Sequence, residues 1–240
     1  MIDIHSHIIF DVDDGSKNLN QSIKELKRIK KRGIEEVICT PHFRSGNIDK
    51  IMKVKENYLK VKEEADKLGI KLYLGNEILY SEKIFKLLQR NRLLTLNNSK
   101  YVLIEFKRNE RMDINHIVDI LDELKGLGYK PILAHPELYV NYRSIEDIIK
   151  IKETGTLLQL DATSILKNKT DRKIYKFSKK LLNERLIDIV ASDTHCNSKR
   201  NHNSFSKAYK KISKKYGKEY ANILFNENSK LIVGGVLWNQ

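Results

Sequence analysis

Met1-Ile2-Asp3-Ile4-His5-Ser6-His7 opens the chain. Ile2, Ile4 and the run Ile8-Ile9-Phe10 are apolar and β-branched or aromatic, the composition of a buried strand. His5 and His7 are two apart, and on a strand that spacing turns both imidazoles to one face. Two neutral imidazoles so placed can share a metal ion. His-x-His alone fits two core or surface histidines equally well, so the other histidines and carboxylates decide. They recur in one kind of place. His42, Glu77, Glu105, His135, Asp161, Asp193 and His195 all follow short apolar runs of strand type. Of the seven histidines only His116 and His202 fall elsewhere, and both read as surface residues.

The elements that must position these residues alternate along the chain. After the first strand, Asp11 to Ser16 reads as a loop. Strands are predicted over 36–40, 71–77, 101–105, 131–135, 157–161 and 187–193. Helical periodicity fills the intervals 20–33, 48–68, 81–90 and 113–127, then from 144 to 155 and over 164–185, and the chain beyond 203 is helical as well. Seven strands alternating with helices, with no linker or break in composition, argue for a single α/β domain over 1–240 with parallel strands. A closed or nearly closed (β/α) barrel is the leading architecture, and in such barrels the C-terminal strand ends meet at the active-site mouth. Gathering so many ionisable groups there is costly without cations to partner them. The pattern therefore points to a site holding several metal ions.

Composition narrows the class. The chain has 240 residues, 40% hydrophobic and 32% charged, and suits a soluble globular protein. No apolar run nears the roughly 20 residues of a membrane span, and polar residues interrupt the first apolar stretch, unlike a secretory signal. Two cysteines, Cys39 and Cys196, make no disulfide framework, so a reducing cytoplasm is the expected home. The net charge is +14, yet the lysines are spread over helix faces and no aromatic-interleaved basic motif is visible. A nucleic-acid-binding module leaves the strand-end ligands unexplained. A basic rim that attracts an acidic partner is compatible with them.

Asp3-Ile4-His5-Ser6-His7, Asp13-Asp14-Gly15, Pro41-His42, Asn76-Glu77, Ala134-His135-Pro136-Glu137 and Ser192-Asp193-Thr194-His195 together resemble the motif series of the PHP (polymerase and histidinol phosphatase) superfamily. Phe10-Asp11-Val12-Asp13-Asp14-Gly15, and Glu105 where histidinol phosphatases usually carry histidine, resemble its branch of bacterial manganese-dependent protein tyrosine phosphatases of capsule and exopolysaccharide synthesis. The resemblance covers essentially the whole chain. It implies a distorted, TIM-like (β/α)7 barrel with three divalent ions, manganese first and iron or zinc as alternatives. By the same resemblance His5, His7, Glu77 and Asp193 hold one ion. Glu77 bridges to a second completed by Glu105 and His135, and Asp14, His42 and His195 hold the third. Asp161 has no place in that scheme; it either orients a ligand histidine or simply ends its strand.

The four carboxylates of that set against three divalent ions leave a formal +2, an environment that admits a phosphate dianion and a hydroxide. The implied reaction is hydrolysis of phosphotyrosine by in-line attack of a metal-bound hydroxide. The implied partner is a phosphotyrosine protein, a tyrosine autokinase tail, with no obligatory nucleic acid; the oligomeric state is left open. Asp14, His42, His195 and Arg200 are the catalytic set, and Arg200 matches a phosphate-contacting arginine. After Ala-His-Pro-Glu the family often has arginine, whereas position 138 is leucine; Arg44 and Arg143 are the candidates to replace it. A cysteine mechanism is disfavoured, because Cys-x5-Arg spacing occurs at neither Cys39 nor Cys196. Histidinol phosphatase is the alternative within the superfamily.

Overall fold

The computed structural model describes residues 1–46, 48–108, 111–196 and 201–234. Strand β1 (Ile2–Ser6) is buried throughout. Helix α1 (Leu19–Lys31) follows, with Asn18 capping its start and Leu26 and Ile29 buried. The next strand comes in two pieces, β2 (Glu36–Cys39) and β3 (His42–Phe43), separated at Thr40-Pro41. Proline has no N–H to give a ladder, which explains the gap. After α2 (Lys50–Lys67) the third strand is also split, into β4 (Lys71–Leu74) and β5 (Glu77–Leu79), at Gly75-Asn76. Then come α3 (Lys83–Gln89), β6 (Tyr101–Glu105), α4 (Ile114–Gly126), β7 (Lys130–Ala134), α5 (Ile145–Glu153) and β8 (Leu157–Asp161). The α5 start is a capping box of Ser144 and Asp147. The predicted helix over 164–185 is instead a 3-10 turn, Ala162–Ile165, then α6 (Arg172–Asn183), which starts only where Asp171 caps it. β9 (Ile189–Ala191) is followed by α7 (His202–Tyr216), α8 (Lys218–Asn222), a π-helical turn and α9 (Asn228–Val233).

Among the described residues all pairings are parallel, in two sheets: β1-β2-β4 and β3-β5-β6-β7-β8-β9. Two hydrogen bonds carry the pairing across the breaks: Gly75 N to Cys39 O at 2.8 Å and Glu77 N to Pro41 O at 3.3 Å. Each broken pair therefore acts as one strand. The ring closes where β1 meets the end of β9. There Asp193 N donates to His5 O (3.0 Å), His7 N donates to Thr194 O (2.9 Å), and Ser6 bridges to Thr194. The result is a distorted (β/α)7 barrel.

Ile2, Ile4, Ile38, Leu103, Ile132 and Ile189 fill the barrel interior. Burial of an aliphatic side chain of this size contributes about 1.5–3 kcal/mol. Leu96, and Ile232 and Val233 of α9, join that cluster, and Asn97 bonds Val233 O at 2.7 Å. They meet the first residues of the strands, Ile2, Tyr101 and Leu157, so α9 stoppers the N-terminal end of the barrel. The C-terminal end is left for the ionisable residues.

Candidate metal centre

Position within the strands comes first. The β1–β2 ladder is irregular between Asp3 and Ser6. Strict alternation after inward Ile2 and Ile4 would send His5 outward. The slip turns it inward, where its Nδ1 lies 2.8 Å from Gln159 Oε1 of β8. His7, two residues on, shares that face: the two Nε2 atoms are 3.2 Å apart.

Four donors form a knot. His5 Nε2 lies 3.3 Å from Glu77 Oε2 and 3.4 Å from Asp193 Oδ1, and His7 Nε2 lies 3.4 Å from each of the same two atoms. An ion held tetrahedrally at about 2.0–2.2 Å leaves its ligands about 3.3–3.6 Å apart, so the spacing fits one ion. Glu77 Oε1 faces the other way, 2.7 Å from His135 Nε2. Glu105 Oε2 is 3.7 Å from that same nitrogen. At the rim, Asp14 Oδ1 lies 3.4 Å from His42 Nε2 and 3.2 Å from His195 Nε2. The structure thus brings together all nine sequence-predicted ligands. One detail departs from the three expected sets. His42 offers both nitrogens, Nε2 to Asp14 and Nδ1 to Glu77 and Glu105 at 2.8 and 3.6 Å. It stands between two sets rather than in one.

The donor chemistry fits cations. Among the described residues, Glu77 Oε2 and His42 Nδ1 are buried without a hydrogen bond although 2.8 Å apart. Lone pairs so arranged need a shared positive charge. Protons take that role where no ion does. Burial opposes charge on His5, but Glu77 and Asp193 outweigh it and hold the imidazole at a pKa of about 9. His42 is likewise held at about 9, burial being overcome by Asp14 and Glu77. Burial keeps His135 neutral, lowered to about 4. Glu105 is pushed up to about 7 by burial and by Glu77, which itself stays ionised because its surrounding imidazoles outweigh its own burial.

Outer partners fix these rings. Asp13 Oδ2 takes His7 Nδ1 at 2.7 Å and the His42 N–H at 3.1 Å. Gly15 donates to the other oxygen at 2.9 Å. A Cβ on Gly15 would sit 2.0 Å from His7 O, so only glycine lets this loop close on β1. Gln159, oriented by His5, donates from Nε2 to Asp161 Oδ1 at 3.1 Å. Asp161 therefore supports a ligand at one remove. Such partners set tautomer and orientation. Asp13 and Gln159 were not singled out in the sequence, since Asp13 sits beside a stronger candidate and Gln159 is neutral mid-strand.

His202 corrects an expectation. It is fully buried, not on the surface. Its Nε2 lies 3.2 Å from Asp3 Oδ2 and its Nδ1 3.8 Å from Glu25 Oε2, both buried carboxylates. Asp3 also accepts Ser192 N at 3.0 Å. The first turn of α7 is thereby anchored to β1, α1 and the end of β9. His116 is exposed as expected.

Arg200 lies outside the described residues. Arg44 is exposed just past β3. Arg143 donates to Met112 O, so its guanidinium is engaged there. Arg108, not anticipated, reaches the cluster: its Nη2 is 3.4 Å from His135 Nε2 and 3.8 Å from Glu105 Oε2. Burial raises the thiol pKa of both Cys39 and Cys196, so neither is an activated thiolate.

Comparison with known proteins then places the chain. Residues 1–234 match the family model for capsular polysaccharide synthesis, CpsB/CapC. The chain belongs to the CpsB/CapC family. It is 36% identical over 244 residues to the tyrosine-protein phosphatase CpsB of Streptococcus agalactiae serotype III (strain NEM316), covering 97% of this chain and 98% of that one. It is similar to a structure from work on YwqE of Bacillus subtilis and CpsB of Streptococcus pneumoniae, described as unique metal-dependent tyrosine phosphatases. The TM-score is 0.85 at 27% identity, over 100% of this chain and 96% of the other. A phosphotriesterase from Mycobacterium tuberculosis shares the fold alone, with TM-score 0.60 at 9% identity over 97% and 93% of the two chains. Among the described residues of this CpsB/CapC member, no helix is long and apolar enough to cross a membrane.

Proposed function

We propose that this CpsB/CapC chain is a metal-dependent protein tyrosine phosphatase acting in the cytoplasm on a phosphorylated tyrosine autokinase. Its named relatives and the donor set support the reading. The observation that carries it is Glu77. One of its oxygens lies among His5, His7 and His42 and the other on His135, so one carboxylate joins two groups of ligands. His5, His7 and Asp193 complete one group, Glu105 and His135 a second, and Asp14, His42 and His195 a third at the rim. Three ions, manganese foremost, match that division. Bound divalent ions would supply Lewis acidity, lowering the pKa of water and neutralising phosphate charge.

The protein's own part is placement. Asp13 and Gln159 hold His7 and His5 so that each presents Nε2. His135, kept neutral by burial, offers a lone pair at any working pH above about 4. Asp14, with its side chain 70% exposed, marks the open mouth through which a phosphotyrosine side chain enters. Tyrosine leaves with a pKa of about 10, so the site needs little help in protonating it.

The test compares turnover of a phosphotyrosine peptide with that of histidinol phosphate, after chelation and again with added manganese. Manganese-restored turnover of the peptide is expected. Activity that survives full chelation removes the metal mechanism. Preference for histidinol phosphate keeps the mechanism and replaces the substrate.

A further inference from the structure

Arg108 lies three residues beyond Glu105, in the loop that leaves β6 at the mouth of the barrel. Its side chain is 38% exposed, yet its Nη2 comes within 3.4 Å of His135 Nε2 and 3.8 Å of Glu105 Oε2. The guanidinium has one side in solvent and the other over the ligand cluster. Guanidinium keeps its proton and has five donors in a planar fork, so it always seeks an acceptor. Around it stand the Glu105 carboxylate and the His135 imidazole, both of which divalent ions would claim. With the carboxylate taken, the acceptor able to approach the fork is an anion entering from the mouth.

The neighbouring positions sharpen this. Leu138, the residue that follows His135-Pro136-Glu137, offers no donor. Arg143, the nearby alternative, is tied to Met112 O in an apolar cleft with Phe106, Tyr139 and Ile148. Arg108 approaches His135 from the facing loop, bringing a guanidinium to the same flank of the cluster.

We propose that Arg108 is a phosphate-binding residue of this site, leaving Glu105 and His135 as ions occupy them and closing on the phosphoryl oxygens of the substrate. This rests on the phosphatase reading. Once ions occupy the cluster the cation adds to an already positive site, so in the loaded protein it turns inward when a dianion is present.

The experiment uses the full chain loaded with manganese, as wild type, Arg108→Ala, Arg108→Lys and Arg111→Ala. Arg111 is an exposed arginine shortly before α4 and controls for simple loss of charge. Metal content per chain, calorimetric binding of inorganic phosphate, and KM and kcat for an aryl phosphate are measured. Arg108→Ala is expected to keep its metal and to weaken phosphate binding and raise KM by about 10- to 100-fold, as loss of a charge-assisted pair does. Lysine should restore part of this, since it keeps the charge and loses the fork. Arg111→Ala should stay within about twofold, as expected for an exposed charge. Unchanged phosphate binding in Arg108→Ala, loss of its metal, or an equal effect of Arg111→Ala overturns the proposal. A wild type that turns over no phosphomonoester but binds phosphate through Arg108 sinks the phosphatase reading and leaves this one standing.

Discussion

Along the seam where β1 meets β9, the ligand-type residues His5, His7 and Asp193 have side chains at most 2% exposed, and backbone hydrogen bonds of the barrel itself set their positions. At the rim, Asp14 and His195 come from loops and His42 from the two-residue strand β3, and Asp14 is largely in solvent. Ordering a seam side chain was accomplished by folding. Ordering the exposed Asp14 side chain must be done by the ion, and that entropy is subtracted from its affinity. An ion at the seam should therefore hold tightly, and one at the rim should exchange.

Asp193→Asn is the strongest way to break this contrast. Asp193 has φ +46°, a left-handed conformation that asparagine also tolerates, so the change removes charge without disturbing the backbone. Turnover should fall by more than about 1,000-fold, beyond the roughly 10- to 100-fold typical of residues that only orient ligands. Metal analysis should show the seam ion gone. Asp14→Ala should cost about 100-fold at limiting manganese and recover most of it in excess, with the seam ion retained, because a rim ligand mainly sets affinity. If both variants lose all their metal together, the two regions are one cooperative site. Gln159→Leu tests the layer behind the seam. It should lower affinity for the seam ion by about 10-fold, read by competition with a chelating dye.

Protons give a gentler probe. His5 and His42 are held at about 9 without ions, above an unfolded value of about 6.5. Between those limits the folded chain binds more protons than the unfolded one. The stability these groups contribute is full below about 6.5 and is lost as pH rises through about 9. The melting temperature in chelator should drop across that window. Ions displace the protons, so the slope should flatten once the protein is loaded. Ions at a hundredfold excess over Kd should contribute about 2.7 kcal/mol, or about 5–11 °C in Tm for a chain of this size.

The ligand positions were legible because each sits at the end of an apolar strand, where a charged side chain has no cheap explanation. Seven parallel strands followed from the same alternation. The breaks at Thr40-Pro41 and Gly75-Asn76 were only half legible: proline marks the first, while the second depends on how Asn76 bonds Pro41 O across the sheet. His202 was misjudged because sequence shows a polar residue near a helix start and conceals Asp3 and Glu25, which reach it from distant segments. Arg108 and Gln159 were missed for the same reason. Their significance is a matter of what folding sets beside them, and neither carries a local pattern.

Asp193 supplies both a side-chain oxygen to the knot and a backbone N–H to His5. Everything before it, most of the polypeptide, can be synthesised without completing either. A product cut short by stalled translation or by a protease therefore retains most of the ligand residues and no working centre. Completion of the centre waits on the segment that carries Asp193, and a fragment that stops short of it lacks both the ligand and the closing backbone bond.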